Sequence, residues 1–202
     1  MQMRRWTLVI VLLSILGMAQ AAFGQGLADK TQVSFHKDKT GYVFLAPGVD
    51  LKNYETIVIG NFSIEGLPDL GPGKLESYRD AYRNHLKNKL AAAGIFKEVT
   101  DDPSKASGPK TLVIWGDILT MHPGSTAKRM FVGLGAGKAV AEIKTYVSAA
   151  DGRMILLGHH LRPTSGMRGG YGSDAFAWLY EGVDRISTFC VEYIKRVYST
   201  GK

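Results

Sequence analysis

Few residues in this 202-residue chain have the types and spacing that catalysis or ligand binding requires. The first candidate is Gly133-Leu-Gly-Ala-Gly137-Lys138, whose glycines suggest a phosphate loop. A Walker loop needs another glycine where Val132 stands, and a Ser or Thr where Ala139 stands. A dinucleotide fingerprint needs its third glycine at Lys138 and a helix after it. The residues that follow alternate as a strand does, so no helix N-terminus offers free amides to a phosphate. Nucleotide binding is not expected. The segment reads as an apolar loop, or as a strand thinned by glycine where another backbone comes close. Phe131, Val132 and Leu134 make it a candidate contact for a partner or, weakly, a membrane. Its apolar run is too short to span a bilayer.

A second glycine-rich loop, Pro163 to Gly172, leads into a long amphipathic stretch. Here Arg168, Gly169, Gly170 and Gly172 offer a guanidinium and backbone amides at the start of a helix, where an anion is stabilised. This is the one small-ligand site expected. Asp117 is the single acid in an apolar strand, with no histidine or second carboxylate at a readable spacing for acid–base work. His159 and His160 are adjacent on a strand and point to opposite faces, so they do not easily serve one metal ion. His36, His85 and His122 are scattered. Cys190, the only cysteine, falls on the apolar stripe of its helix and reads as a small hydrophobe, not a nucleophile. No metal, no cofactor and no enzymatic activity are expected.

The elements that carry these residues are more legible. Ala139, Ala141, Ile143, Thr145 and Val147 alternate with Glu142 and Lys144, as a half-buried strand requires. Asp151-Gly152 supplies a tight turn, and Met154 to Leu161 returns as a second strand. Thr56 to Ile64 and Thr111 to Met121 read as further strands, with shorter ones at Tyr42–Leu45 and Ile95–Val99. Leu75, Tyr78, Tyr82, Leu86, Leu90 and Ala93 make one stripe of a helix from Lys74 to Ala93, with Gly94 as its stop. Arg79, Arg83, Lys87 and Lys89 decorate the rest of that helix, which reads as a solvated charged face. A second helix runs from Asp174 to about Ser199, its stripe including Phe176, Leu179, Tyr180, Val183, Ile186 and Cys190. Together these predict a mixed sheet with two long amphipathic helices packed on it, an α/β (α+β) single domain over residues 54–199. Residues 25–53 are expected as an arm with one short strand. The two glycine loops flank the hairpin and are expected near the same end of the sheet.

Arg4 and Arg5, the apolar run Trp6–Leu16 and the small residues to Gly24 form a signal peptide over residues 1–24. Cleavage is expected between Ala21 and Gly24. No cysteine stands near that site, so lipid attachment there is not expected and the product is placed in the periplasm or secreted. One cysteine leaves no intrachain disulfide. The net charge of +7 suits anionic envelope surfaces. It is spread without interleaved aromatics, and nucleic acid is not an expected partner.

The order of elements, with Gly94-Ile-Phe after the helix, Trp115-Gly-Asp117 in the next strand, then Gly133-x-Gly-x-Gly137 and Asp151-Gly152, resembles the bacterial domain-of-unknown-function family "forty-four ten". The likeness covers about residues 54 to 198. That family looks like exported envelope proteins. Its strand–helix order is similar to that of the curli secretion channel subunit and the N-terminal domain of TolB. The resemblance implies a mixed sheet flanked by helices and a binding or assembly role, with an envelope protein partner or self-association, and it transfers no catalytic residues.

Overall fold

The computed structural model describes residues 34–35, 41–124, 139–164 and 175–200. Residues Val33–Lys202 form one compact unit. Its strands are β1 (Ser34–Phe35), β2 (Gly41–Leu45), β3 (Thr56–Ser63), β4 (Glu98–Thr100), β5 (Thr111–His122), β6 (Ala139–Ala149) and β7 (Met154–Thr164). Two helices, α1 (Lys74–Ala93) and α2 (Ala175–Thr200), complete it. The strands form a seven-stranded sheet in the order β1-β2-β7-β6-β5-β3-β4. β3 is parallel to β4 and β5; every other pair is antiparallel. The expected mixed sheet with two helices is what forms.

The hairpin of β6 and β7 is paired along most of its length. Thr145 lies opposite Gly158, and Ala139 opposite Thr164. The two glycine-rich segments therefore join the sheet at neighbouring points, though residues 125–138 and 165–174 lie outside the described residues. At the turn the Ala149 N–H donates to Arg153 O at 2.9 Å, and the Arg153 N–H donates to Asp151 Oδ1. Ala139, Ala141, Ile143, Thr145 and Val147 are buried, as the alternation predicts.

Both helices lie on one face of the sheet and pack against each other. On α1, Tyr78, Tyr82, Leu86 and Leu90 are buried, and Gly94 ends the helix at φ 64°, a left-handed backbone that favours glycine. On α2, Leu179, Val183, Ile186, Cys190, Ile194 and Val197 are buried. Tyr180, expected in that stripe, is 38% exposed. Its ring leans on Tyr78 at 4.6 Å and its hydroxyl bonds Ser77, so it covers the junction of the two helices from outside.

Three boundaries differ from expectation. The strand placed at Ile95–Val99 begins three residues later, at Glu98. The amides of Lys97 and Glu98 both donate to Glu55 O, which holds the chain across the end of β3 before pairing starts, while Phe96 is buried. β7 continues to Thr164, past Leu161, because β6 supplies a partner for each added residue. The N-terminal segment joins the sheet: β1 pairs with β2, β2 pairs with β7, and Val43 and Leu51 are 1% exposed. The expected arm boundary at residue 53 thus falls between two strands of one sheet.

The centre of the core is a close approach. A Cβ added at Gly116 would meet Lys144 O on β6 at 1.9 Å and the ring of Phe62 at 2.8 Å. Phe62 occupies that space and meets Tyr82 edge to face at 4.9 Å. The Tyr82 hydroxyl, fully buried, bonds Thr145 Oγ1 at 2.8 Å, so no polar atom of that pair is left unsatisfied. Gly116→Ala is expected to destabilise the protein by about 2 kcal/mol or more, because the obstacle is backbone and cannot rotate away. Chemical denaturation checks this, and an unchanged midpoint would contradict it.

At the opposite end of β3, Glu55 is gripped by Lys110 and Lys97, at 2.6 and 2.7 Å. Those hydrogen bonds lower its pKa from 4.5 to about 2. The folded state therefore favours the ionised form. Its contribution is complete above pH 4.5 and is lost as pH falls through about 2. Glu55→Gln should flatten the loss of urea stability across that interval, and an unchanged acid slope would show that the two lysine contacts are not held in solution.

Candidate functional site

The residues singled out on the sequence fall into two groups. Phe131, Val132 and Leu134, and likewise Arg168, Gly169, Gly170 and Gly172, lie outside the described residues. The others have definite places. His159 and His160 do face opposite sides of β7. His160 is 5% exposed beneath α2, its ring stacked on Phe189 at 6.2 Å. His159 is on the other face, with Nε2 2.6 Å from Glu142 Oε1. Cys190 is buried beside Tyr82, and burial pushes its thiol up to about 12, so it holds no thiolate at neutral pH. Asp117 is half-buried and stands directly across from Lys144. Among the described residues no group of three or more His, Cys, Asp or Glu could hold a metal ion.

Two surfaces remain as candidates. The first is the sheet face opposite the helices. The register aligns Phe44, Leu157, Tyr146 and Trp115 in one row across β2, β7, β6 and β5. All four are half-buried. The rings of Trp115 and Tyr146 stack at 4.5 Å, and the indole N–H donates to Ser148 Oγ at 3.3 Å. Beside this apolar row runs a polar one, His159, Lys144 and Asp117. Glu142 lies next, accepting from Thr120 Oγ1 at 2.8 Å. Burial would raise the Glu142 pKa, but its bonds to Thr120 and His159 prevail and hold it below the ordinary carboxylate value. A bulge between Ile118 and Thr120 leaves Leu119 without a partner in the β6 register, 40% exposed.

The second surface is a cleft of about 330 Å³ beside α1. It exists because β4 is short. β4 pairs with Thr56, Ile57 and Val58 only, and β3 continues beyond it to Ser63. Where β4 stops, α1 supplies the edge: Arg83 Nε–H donates to Gly60 O at 2.9 Å. Arg79 and Lys87, one helical turn to either side, line the same cleft with Ile59 and Asp101. Arg79 bonds Asp80 at 2.9 Å, and Lys87 bonds Asp101 at 2.7 Å. The Lys87 hydrogen bond, with Arg83 adding to it, lowers the Asp101 pKa, so this acid stays ionised. Lys89, further along the helix, turns elsewhere and ties α1 to Asp184 of α2 at 2.7 Å. The sequence reads Arg79, Arg83, Lys87 and Lys89 as one solvated face. Their spacing is visible there, but not the strand end that three of them surround.

A mixed sheet with both helices on one face, and a crossover helix bordering a strand end, defines an α+β fold, and such a fold by itself carries no particular chemistry. Residues 73–170 match the family model of DUF4410, a domain of unknown function, and this is the family that the glycine and turn motifs resemble. No curated protein matches the chain by sequence. Similar solved structures include the PelC dodecamer from Paraburkholderia phytofirmans, with 15% identity over 70% of this chain and 96% of that one, at a TM-score of 0.45. A leucine-to-methionine variant of the same dodecamer, in another crystal form, is 15% identical over 73% of this chain and 98% of that one, again at 0.45. A Xanthomonas campestris protein of the DUF330 family is 11% identical over 78% and 91%, at 0.43. These neighbours do not strongly match the curli and TolB comparison.

Proposed function

We infer that this protein is an exported, non-enzymatic envelope domain that acts by binding, and that it assembles with further copies of itself through the sheet face opposite the helices. The observation that carries the reading is Leu119, 40% exposed at the β5 bulge near the pair Lys144 and Asp117, with the apolar row Phe44, Leu157, Tyr146 and Trp115 aligned across four strands on the face opposite the helices. Burying such a row yields roughly 25 cal/mol per Å² of apolar area. The adjacent row holds both signs of charge, Lys144 beside Asp117. In a two-fold contact each lysine can meet the aspartate of the other copy, as a self-complementary patch requires. Export is supported by the basic, apolar and small-residue order of positions 1–24. A non-enzymatic role is supported by the buried thiol of Cys190 and the opposed histidines.

Light scattering after size exclusion should give a discrete oligomer. Leu119→Lys adds charge at an already exposed position, so it should leave the unfolding midpoint unchanged and weaken association by about tenfold or more. A monomer at every concentration, with no shift in the variant, would remove this reading. Association that ignores Leu119→Lys and Lys144→Glu alike would move it to another surface.

A further inference from the structure

We propose that the cleft bounded by Arg79, Arg83 and Lys87 of α1, by Ile59 of β3 and by Asp101 after β4 is a binding site for the phosphate group of a larger ligand. This goes beyond assembly through the sheet face and does not depend on it. The site starts from the end of β4. Among the described residues no strand pairs with β3 on that side beyond Thr100, and Arg83 bonds the edge of β3 there.

One nitrogen of the Arg83 guanidinium is fixed by Gly60 O at 2.9 Å. The bond sets the direction of the whole planar group and leaves its two terminal nitrogens, with four N–H donors, for a further acceptor. A fork positioned in this way matches two oxygens of an oxyanion. Arg79 and Lys87, at i−4 and i+4, add donors on either side of it. Three cationic side chains line one opening together with two carboxylates, Asp80 on Arg79 and Asp101 on Lys87; an anion that replaces both needs more acceptor oxygens than a carboxylate has, which favours phosphate. The cleft, about 330 Å³, falls within the size range of small-molecule sites and exceeds what a lone phosphate fills. It also lies beside the carboxyl end of a parallel strand, where ligands of α/β sheets gather.

Asp101 gives the site its control. It faces the same opening and holds Lys87 at 2.7 Å, so an incoming phosphate competes with it for that lysine. Removing the acid should therefore tighten binding, an effect that loss of folding cannot imitate.

The test titrates the full chain with inorganic phosphate, and with acetate at equal ionic strength, by calorimetry. Saturable binding of phosphate, weaker binding of acetate, about tenfold loss in Arg83→Gln and a several-fold gain in Asp101→Asn are expected. Thermal unfolding confirms that both variants are folded, and Arg79→Gln gives a second loss variant that leaves the Gly60 contact intact. A parallel arm uses vesicles of phosphatidylglycerol against vesicles of phosphatidylcholine. Vesicle binding that free phosphate displaces and Arg83→Gln abolishes assigns the phosphate to a lipid headgroup; phosphate binding without it assigns a soluble ligand. No saturable phosphate binding, or an affinity that Asp101→Asn leaves unchanged, would overturn the proposal.

Discussion

The structure depends on the closeness of β5 to its neighbours at Gly116. A side chain there would overlap the Lys144 carbonyl, and its absence lets Phe62 of β3 lie over the strand. Phe62 then meets Tyr82, which reaches across the helix–sheet boundary to Thr145 of β6. One missing Cβ thus joins β3, β5, β6 and α1. The buried hydroxyl pair gives the contact a direction as well as a packing energy, since either partner alone would be an unsatisfied polar group in the core. Cys190 of α2 sits against the same tyrosine, which brings the second helix to the same point.

From that centre the two faces of the sheet diverge. The helix side takes most of the strictly buried residues of the long strands, Ala141, Ile143 and Val147 of β6 among them, and His160 is accommodated there by stacking on Phe189. The other side keeps half-buried aromatics next to paired polar groups, Glu142 with Thr120 and His159. This division follows from the period of two along a strand. It also separates the two candidate surfaces. The apolar row belongs to the antiparallel strands, while the basic cleft belongs to the parallel unit at the opposite edge, made by β3, α1 and β4. Both surfaces reach β5, which pairs with β3 along one side and β6 along the other.

The chain's local patterns carry much of this. The alternation from Ala139 to Val147, the Asp151-Gly152 turn and the stripe from Tyr78 to Leu90 are short-range signals, and each appears where its spacing places it. The motif Trp115-Gly-Asp117 is readable as a pattern but not as a cause, because the reason for its glycine is a carbonyl on another strand. The start of β4 lies later than local pattern suggests because Ile95 and Phe96 look like strand residues. Phe96 is instead buried ahead of the strand, and the sheet accepts the chain only after Glu55 has turned it.

What the sequence by itself determined is the set of elements and the apolar side of each, both of which rest on spacing within a few residues. What only the tertiary structure decided is where elements stop relative to one another. The three cations of α1 are visible as a turn-spaced run. They become a cleft only because β4 ends at Thr100 while β3 continues, and because Asp101 then stands within reach of Lys87. The row from Phe44 to Trp115 likewise requires the register of four strands, the first of them far from the others along the chain. Contacts of that range are set by the packing of the whole sheet, and no local pattern encodes them.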